Sequence, residues 1–445
     1  MKTASRLILR IGIALALSLL CAHVGLSIAS RITLRHAYAA LRDAGRPMDA
    51  KTLIPPEVPI DDNAAPLYES AIALMESDEL DGSLLLSAAY RISRDFLDSA
   101  PSSSADMENL LEIDVVNQAL ALAEQAAARP QCRFNVQYGM GLDLSLAHHH
   151  QLYMMTHLLA ARAVYEARQG NAADALSTIR SALRATQALR TEPFILASVV
   201  RSQQLAITLR ALQQILALAP PDDETAAALS ALLPSPADIR DHFLLTLDGE
   251  RLIFAENGLI KMGTMGPAPA GSCWSIRRMY ALYRYAPVIR SDHAVYLREM
   301  ERLAREATRP YLENPSPAMN LFYPDASGLP WYSFYAQIAL SSVHPHRKTM
   351  AAAQAHLQVA QTGLALLRHK LAHGAYPATL SEIDPQFLTE NPLDPFTGHP
   401  LVYRPEGDGF LLYSLGENLA DDNGTPESPD NRNSRAFDVV WRASR

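Results

Sequence analysis

The sequence predicts a mainly α-helical chain with a membrane-spanning helix at its N-terminus and a small α+β unit at its C-terminus. Three observations carry this. Ile11 to Ala29 is nearly continuous apolar sequence, close to the ~20 residues that cross a bilayer. Alanine and leucine dominate the middle of the chain and glycine is scarce there, a composition that favours helices. Only after Leu401 do short strand-like runs appear, each bounded by turn residues.

The chain has 445 residues, room for two or three domains of ~150 residues each. The division read from the sequence is an anchor over 1–30, a helical body over 31–345 and a C-terminal α+β domain over 346–445. The net charge of −8, with no basic stripe along the chain, argues against a nucleic-acid partner. Three cysteines, Cys21, Cys132 and Cys273, form no Cys-x-x-Cys pair. Outside the cytoplasm Cys132 and Cys273 could pair, and two free buried thiols are the alternative.

Lys2, Arg6 and Arg10 precede the apolar run, and Arg31 and Arg35 follow it. The expected orientation places the N-terminus in the cytoplasm and the body in the periplasm, on a single-pass inner-membrane anchor. A cleaved signal peptide is the competing reading, with Ile11–Leu20 as its apolar core and Ser27-Ile28-Ala29 as a cleavage site. Arg31 to Ala44 is expected to continue the helix until Gly45-Arg46-Pro47.

In the body, Pro55 to Pro59 reads as a stiff linker and Asp61-Asp62-Asn63 as a helix start. Further helices are expected over 106–128, 144–169, 172–189, 193–218, 222–233, 236–260 and 274–308. Gly170-Asn171 separates the second and third of these, whose small residues suggest one tetratricopeptide-like hairpin in a bundle without a regular repeat. Tyr311 to Trp331, rich in proline and aromatics, reads as a surface loop or lid.

The last ninety or so residues carry the most specific words. A helix with Leu357, Leu364, Leu367 and Leu371 on one stripe ends at Gly374 and Tyr376-Pro377. Leu393 to Pro400 forms an Asp-Pro and Thr-Gly loop, and Leu401–Arg404 with Gly409–Ser414 reads as a hairpin. Tyr413-Ser414-Leu415-Gly416, an acidic loop over Asp421–Asp430, and Asp438 to Trp441 follow. This ordered set resembles the head of the major (type G) pseudopilin of type II secretion, over about a fifth of the chain. The order of anchor, proline linker and Asp-Asn-Ala-Ala-x-x-Tyr (62–68) is similar to that of bacterial membrane-anchored proteins ending in such a head, a group that carries no activity over. The resemblance implies a structural calcium ion held by the acidic loop. Asp421, Asp422, Asp430 and Asp438 are its candidate ligands, with Asn418 and Asn423 as further oxygens. The loop departs from the family in its length and in Pro426, Pro429, Arg432 and Arg435. No prepilin-peptidase site precedes the apolar run, so an ordinary polymerising pilin is excluded.

No nucleophile elbow, phosphate loop or dinucleotide fingerprint is present. His148-His149-His150 and His157 lack a metal-binding spacing, and consecutive histidines on a helix point apart, so they read as surface and packing residues. Asp248, Glu250 and Glu256 read as a solvated helix face. The sequence therefore points to a membrane-tethered, extracytoplasmic, non-enzymatic scaffold or protein-binding protein. The alternatives are a hydrolase with a cleft in the helical body and an accessory subunit of a type II secretion-like apparatus.

Overall fold

The computed structural model describes residues 2–80, 83–98, 103–256, 285–313, 315, 328–428 and 437–443. Its fold is mainly helical, with a three-stranded antiparallel sheet near the C-terminus. Two compact units share the chain: Met1–Thr52, Asp248–Arg305 and Pro317–His344 form one, and Leu53–Leu247, Glu306–Ser316 and Pro345–Arg445 the other.

In the first unit, α1 (Lys2–Asp43) contains the expected apolar run. Its large apolar side chains from Leu9 to Ile32 are exposed, and the stretch is long and apolar enough to cross a membrane. Gly45 ends it at φ +71, where a side chain would be strained. Beyond the apolar run, Tyr38 donates to Glu256 Oε1 at 3.1 Å and Arg46 pairs with Asp248 at 2.8 Å. The helix expected over 274–308 is described from α11 (Ala286–Glu306), its earlier part lying outside the described residues. Asp292 of α11 accepts the N–H groups of Tyr335 and Ala336 at 2.8 and 3.0 Å. It thereby caps α12 (Phe334–His373).

α12 is continuous through Pro345, and the two compact units part within it at His344/Pro345, beside the boundary the sequence suggested at 345/346. Proline inside a helix removes one hydrogen bond and costs about 3 kcal/mol. Val343, His344 and Arg347 are buried around it, and Arg347 donates to the carbonyls of Glu306 and Pro310, so tertiary packing holds the helix through the break.

The body of the second unit contains α2 (Ala65–Glu76), a two-residue hairpin β1–β2 (Glu79–Leu80, Ser83–Leu84), α3 (Leu85–Leu97), α4 (Ser103–Leu111) and α5 (Asp114–Ala127). There follow α6 (Ala147–Arg168), α7 (Ala172–Ala185), α8 (Ile195–Leu218), α9 (Asp223–Leu232) and the start of α10 (Pro236–Gly249). The single helix expected over 106–128 is two. Ile113 is extended, and the Asn117 amide caps the carbonyls of Leu111 and Ile113 at the break. α6 and α7 form the expected hairpin, turned by Gly170 at φ +83 and pinned by Thr178 donating to Glu166 at 2.8 Å. Leu152, Leu158, Leu159, Ile179, Leu205 and Leu212 are almost fully buried, so α6–α8 form the centre of the core.

The sheet has the order β3 (Val402–Glu406), β4 (Gly409–Ser414), β5 (Val439–Ala443), with β4 central and buried throughout. The hairpin matches expectation; β5 is a strand the sequence did not announce. Pairing Leu412 with Trp441 sets the Trp441 ring against Gly363 of α12. The first residues of the segment read as a surface loop or lid are tied to the C-terminal part of the chain: Tyr311 and Leu312 donate to the carbonyls of Pro395 and Phe396. Most of that segment lies outside the described residues.

Two stability predictions follow from this packing. A methyl at Gly363 would lie 2.2 Å from Trp441 Cε3. Gly→Ala in an open helix stabilises by roughly 0.5–1 kcal/mol, whereas overpacking costs about 1–3 kcal/mol. Gly363→Ala is therefore expected to lower the melting temperature, and a rise would contradict the packing. Buried Asp394 accepts from Phe396 N, Ser414 Oγ and Leu415 N at 2.8, 2.9 and 3.0 Å. Asp394→Ala is expected to cost about 3 kcal/mol by orphaning these donors, measured by urea unfolding against Ser414→Ala, which removes only one.

Candidate functional site

The site is built in the helical body from the first turn of α6, the turn between α7 and α8, and the loop after α5. Asn63 fixes that loop. Its amide donates to the Arg133 carbonyl at 2.9 Å, and its oxygen accepts from Arg133 N and Ala65 N. The expected helix-start role of 61–63 thus falls on Asn63, which also ties two segments together. The turn from Thr186 to Glu192 is held from beneath by buried Arg201, which donates to Thr186 O and Gln187 Oε1 and pairs with Asp238.

These supports bring His148, His149 and Glu192 together. His148 Nε2 donates to Glu192 Oε1 at 2.9 Å, and His149 Nε2 to Glu192 Oε2 at 2.5 Å. His242 donates to the backbone carbonyl of Glu192 at 3.1 Å. Phe134 stacks on His148 with ring centroids 4.5 Å apart, and Phe194 flanks His149 at 6.2 Å. Glu192 and His149 are buried, and His148 is partly so. Burial works against ionising Glu192, but the hydrogen bonds from His148 and His149 outweigh it and hold the carboxyl down at about 2. The positive end of α6 favours the same charge.

Consecutive histidines on a helix do diverge, yet Glu192 lies off the helix between the two side-chain directions and meets both. His150 points away and stacks loosely on Tyr153. The sequence reading missed Glu192, which is 43 positions from His149 and in no motif. Its weak signal was an acidic residue on a turn between amphipathic α7 and the more apolar α8.

The same two segments wall a cavity of about 440 Å³. Arg129, Arg133, Arg184 and Arg190 line it, with Gln187, Thr191, Cys132 and Tyr68; among the described residues no Asp or Glu does. Arg133 pairs at 2.7 Å with Glu57, which is itself largely exposed. Burial, reinforced by the charge of Glu192, pushes the Cys132 thiol well up, so it stays protonated and weakly nucleophilic.

The residues singled out in the acidic loop lie elsewhere in the same unit. Asp438 is buried and accepts from Gly424 N at 2.7 Å and Asp422 N at 3.4 Å. Asp421 accepts from Tyr413 OH and Asn423 N, and Asp422 from the Asn418 amide. Burial pushes Asp438 up to about 6. Asp430 and Cys273 lie outside the described residues. Among the described residues, His148, His149 and Glu192 form the one group of three such side chains whose donor atoms lie within 4.8 Å of one another. Asp248 does not belong to a solvated face: it is buried between Arg46 and Arg251, on a helix that passes into a π-helical turn at Glu250–Ala255.

No protein-family model, curated protein or solved structure matches the chain.

His157 is one of the buried histidines, with His149, His242 and His356, that shape the pH response of this unit. It is buried between the Tyr90 and Tyr153 rings, and neither ring nitrogen has a partner. Burial lowers it to about 4. The unfolded chain therefore takes up this proton first as pH falls. Stability is fully present above about 6.5 and is lost between there and about 4. A drop from pH 7.5 to 5 is expected to cost about 2 kcal/mol from this residue alone, and His157→Phe is expected to flatten the pH dependence of urea unfolding. An unchanged slope would show that His157 is solvated in the folded protein.

Proposed function

We propose that the chain is a membrane-tethered, extracytoplasmic binding protein without catalysis of its own, holding an anionic segment of a partner protein in the arginine-lined cavity of its helical body. The observation that carries this is the cavity itself, with four guanidinium groups and no lining carboxylate in a chain of net charge −8. Planar guanidinium groups pair with carboxylates in two-pronged fashion, and a concave wall of one sign concentrates the field.

The tether in this reading is α1, with its N-terminus in the cytoplasm and the body in the periplasm. The C-terminal unit is a pseudopilin-like head. What supports it is the ordered sequence of long helix, Tyr-Pro turn, Asp394 loop, hairpin and Trp441 strand, with Tyr403 OH closing on Pro377 O at 2.7 Å. Calcium is the ion of its acidic loop in this reading, drawing on Asp421, Asp422 and Asp438.

A hydrolase is the second reading, and one observation favours it: the buried, convergent His148–Glu192–His149 set. Against it, the set contains no hydroxyl or thiol, and the Cys132 thiol is held protonated.

Fluorescence anisotropy of a labelled oligoglutamate peptide with the full-length protein in detergent tests the proposal. Arg184→Glu with Arg190→Glu, both at exposed positions, is expected to weaken binding at least about tenfold, as is raised salt. Absence of binding by the wild type, or equal binding by the double variant, would overturn it.

A further inference from the structure

Glu192 is 3 % exposed, and its carboxylate meets no lysine or arginine among the described residues. Its side-chain partners are His148 and His149. A buried carboxylate is costly unless paired with a cation. Imidazole donates a hydrogen bond but brings no permanent charge. The cluster therefore offers two imidazole nitrogens and one carboxylate with no fixed positive charge between them.

The geometry suits an ion. The closest nitrogen–oxygen separations are 2.9 Å for His148 and 2.5 Å for His149. Ligands bound at about 2.0–2.2 Å to a common ion in a tetrahedral site stand roughly 3.4 Å apart, so an opening of about 0.5–1 Å, once the hydrogen-bonding protons leave, seats one. Two imidazoles and a carboxylate select zinc and its first-row neighbours, whereas calcium prefers an all-oxygen shell. Phe134 and Phe194 give the site an apolar wall. His149 Nδ1 is buried with no partner, so the outer support common around bound histidines is missing on that side.

We propose that His148 Nε2, His149 Nε2 and Glu192 bind one zinc-class divalent cation, leaving a fourth coordination position open. The same loop and turn wall the arginine-lined cavity, but the metal site does not depend on what that cavity binds.

Untagged full-length protein in detergent, stripped with chelator and titrated with Co²⁺ and then with Zn²⁺, tests this. The expected result is one equivalent of Co²⁺ with the visible bands of a four-coordinate site, displaced by Zn²⁺. His148→Asn, at a partly exposed position that leaves the core intact, is expected to weaken binding by more than the about 10–100-fold that loss of an outer-shell partner costs. Glu192→Gln is expected to do the same and His150→Asn to leave binding unchanged, with melting curves confirming that each variant folds. Failure of the wild type to bind a stoichiometric ion, or equal binding by His148→Asn, would overturn the assignment, while oligoglutamate binding reads the cavity separately.

Discussion

A three-stranded sheet cannot bury both its faces alone, and here the covering surface is the C-terminal half of α12. β4 is buried along its whole length, and Trp441 of β5 packs directly on Gly363. The same stretch of α12 donates from Gln354 and Gln361 to the carbonyls of Pro236 and Pro234, and Arg368 pairs with Asp223. One helix therefore serves both the sheet and the helical body, which is why residues 53–247 and 345–445 fall in one compact unit. The absent side chain at Gly363 is the local condition for this arrangement, because any Cβ would displace the indole.

Within that unit the candidate site is held by long-range ties rather than by one element. Asn63 fixes the Arg133 backbone, Arg201 fixes the Thr186–Gln187 turn, and His242 fixes the Glu192 carbonyl. Each tie joins segments fourteen or more positions apart: 70 for Asn63–Arg133, 15 for Arg201–Thr186 and 50 for His242–Glu192. The cavity arginines are gathered in the same way, two from around α7 and two from the loop after α5. A chain without a basic stripe can thus present a strongly basic concavity, because charge in sequence and charge in space are separate quantities.

This explains what could be read from the sequence. The apolar run of α1, the Gly170 turn, the Gly374 helix end and the 402–414 hairpin are local patterns, and local patterns were legible. The break at Ile113 was not, because it depends on one amide, Asn117, bonding backward against propensity. The continuation through Pro345 was not, because packing around Arg347 overrides a strong local signal. Glu192 was invisible for the same reason: nothing near it in sequence marks it, and the two histidines that meet it were read against each other rather than against a residue on a distant turn. The burial of Asp248 likewise depends on Arg46, two hundred positions away.

Two buried carboxylates show how similar burial can serve different ends. Asp394 accepts from two backbone N–H groups and a serine hydroxyl, none of which can change its charge near neutral pH. It is a fixed joint, and the Asp-Pro loop and the end of β4 are built on it. Glu192 accepts from two imidazoles, whose nitrogens can give up a proton and present a lone pair in its place. Hydrogen bonds alone would be met as well, and more cheaply, by backbone donors, as they are at Asp394. The donors around Glu192, unlike those around Asp394, are groups that exchange a proton for a lone pair near neutral pH. The residue types around Glu192, rather than its burial, are what set it apart from Asp394.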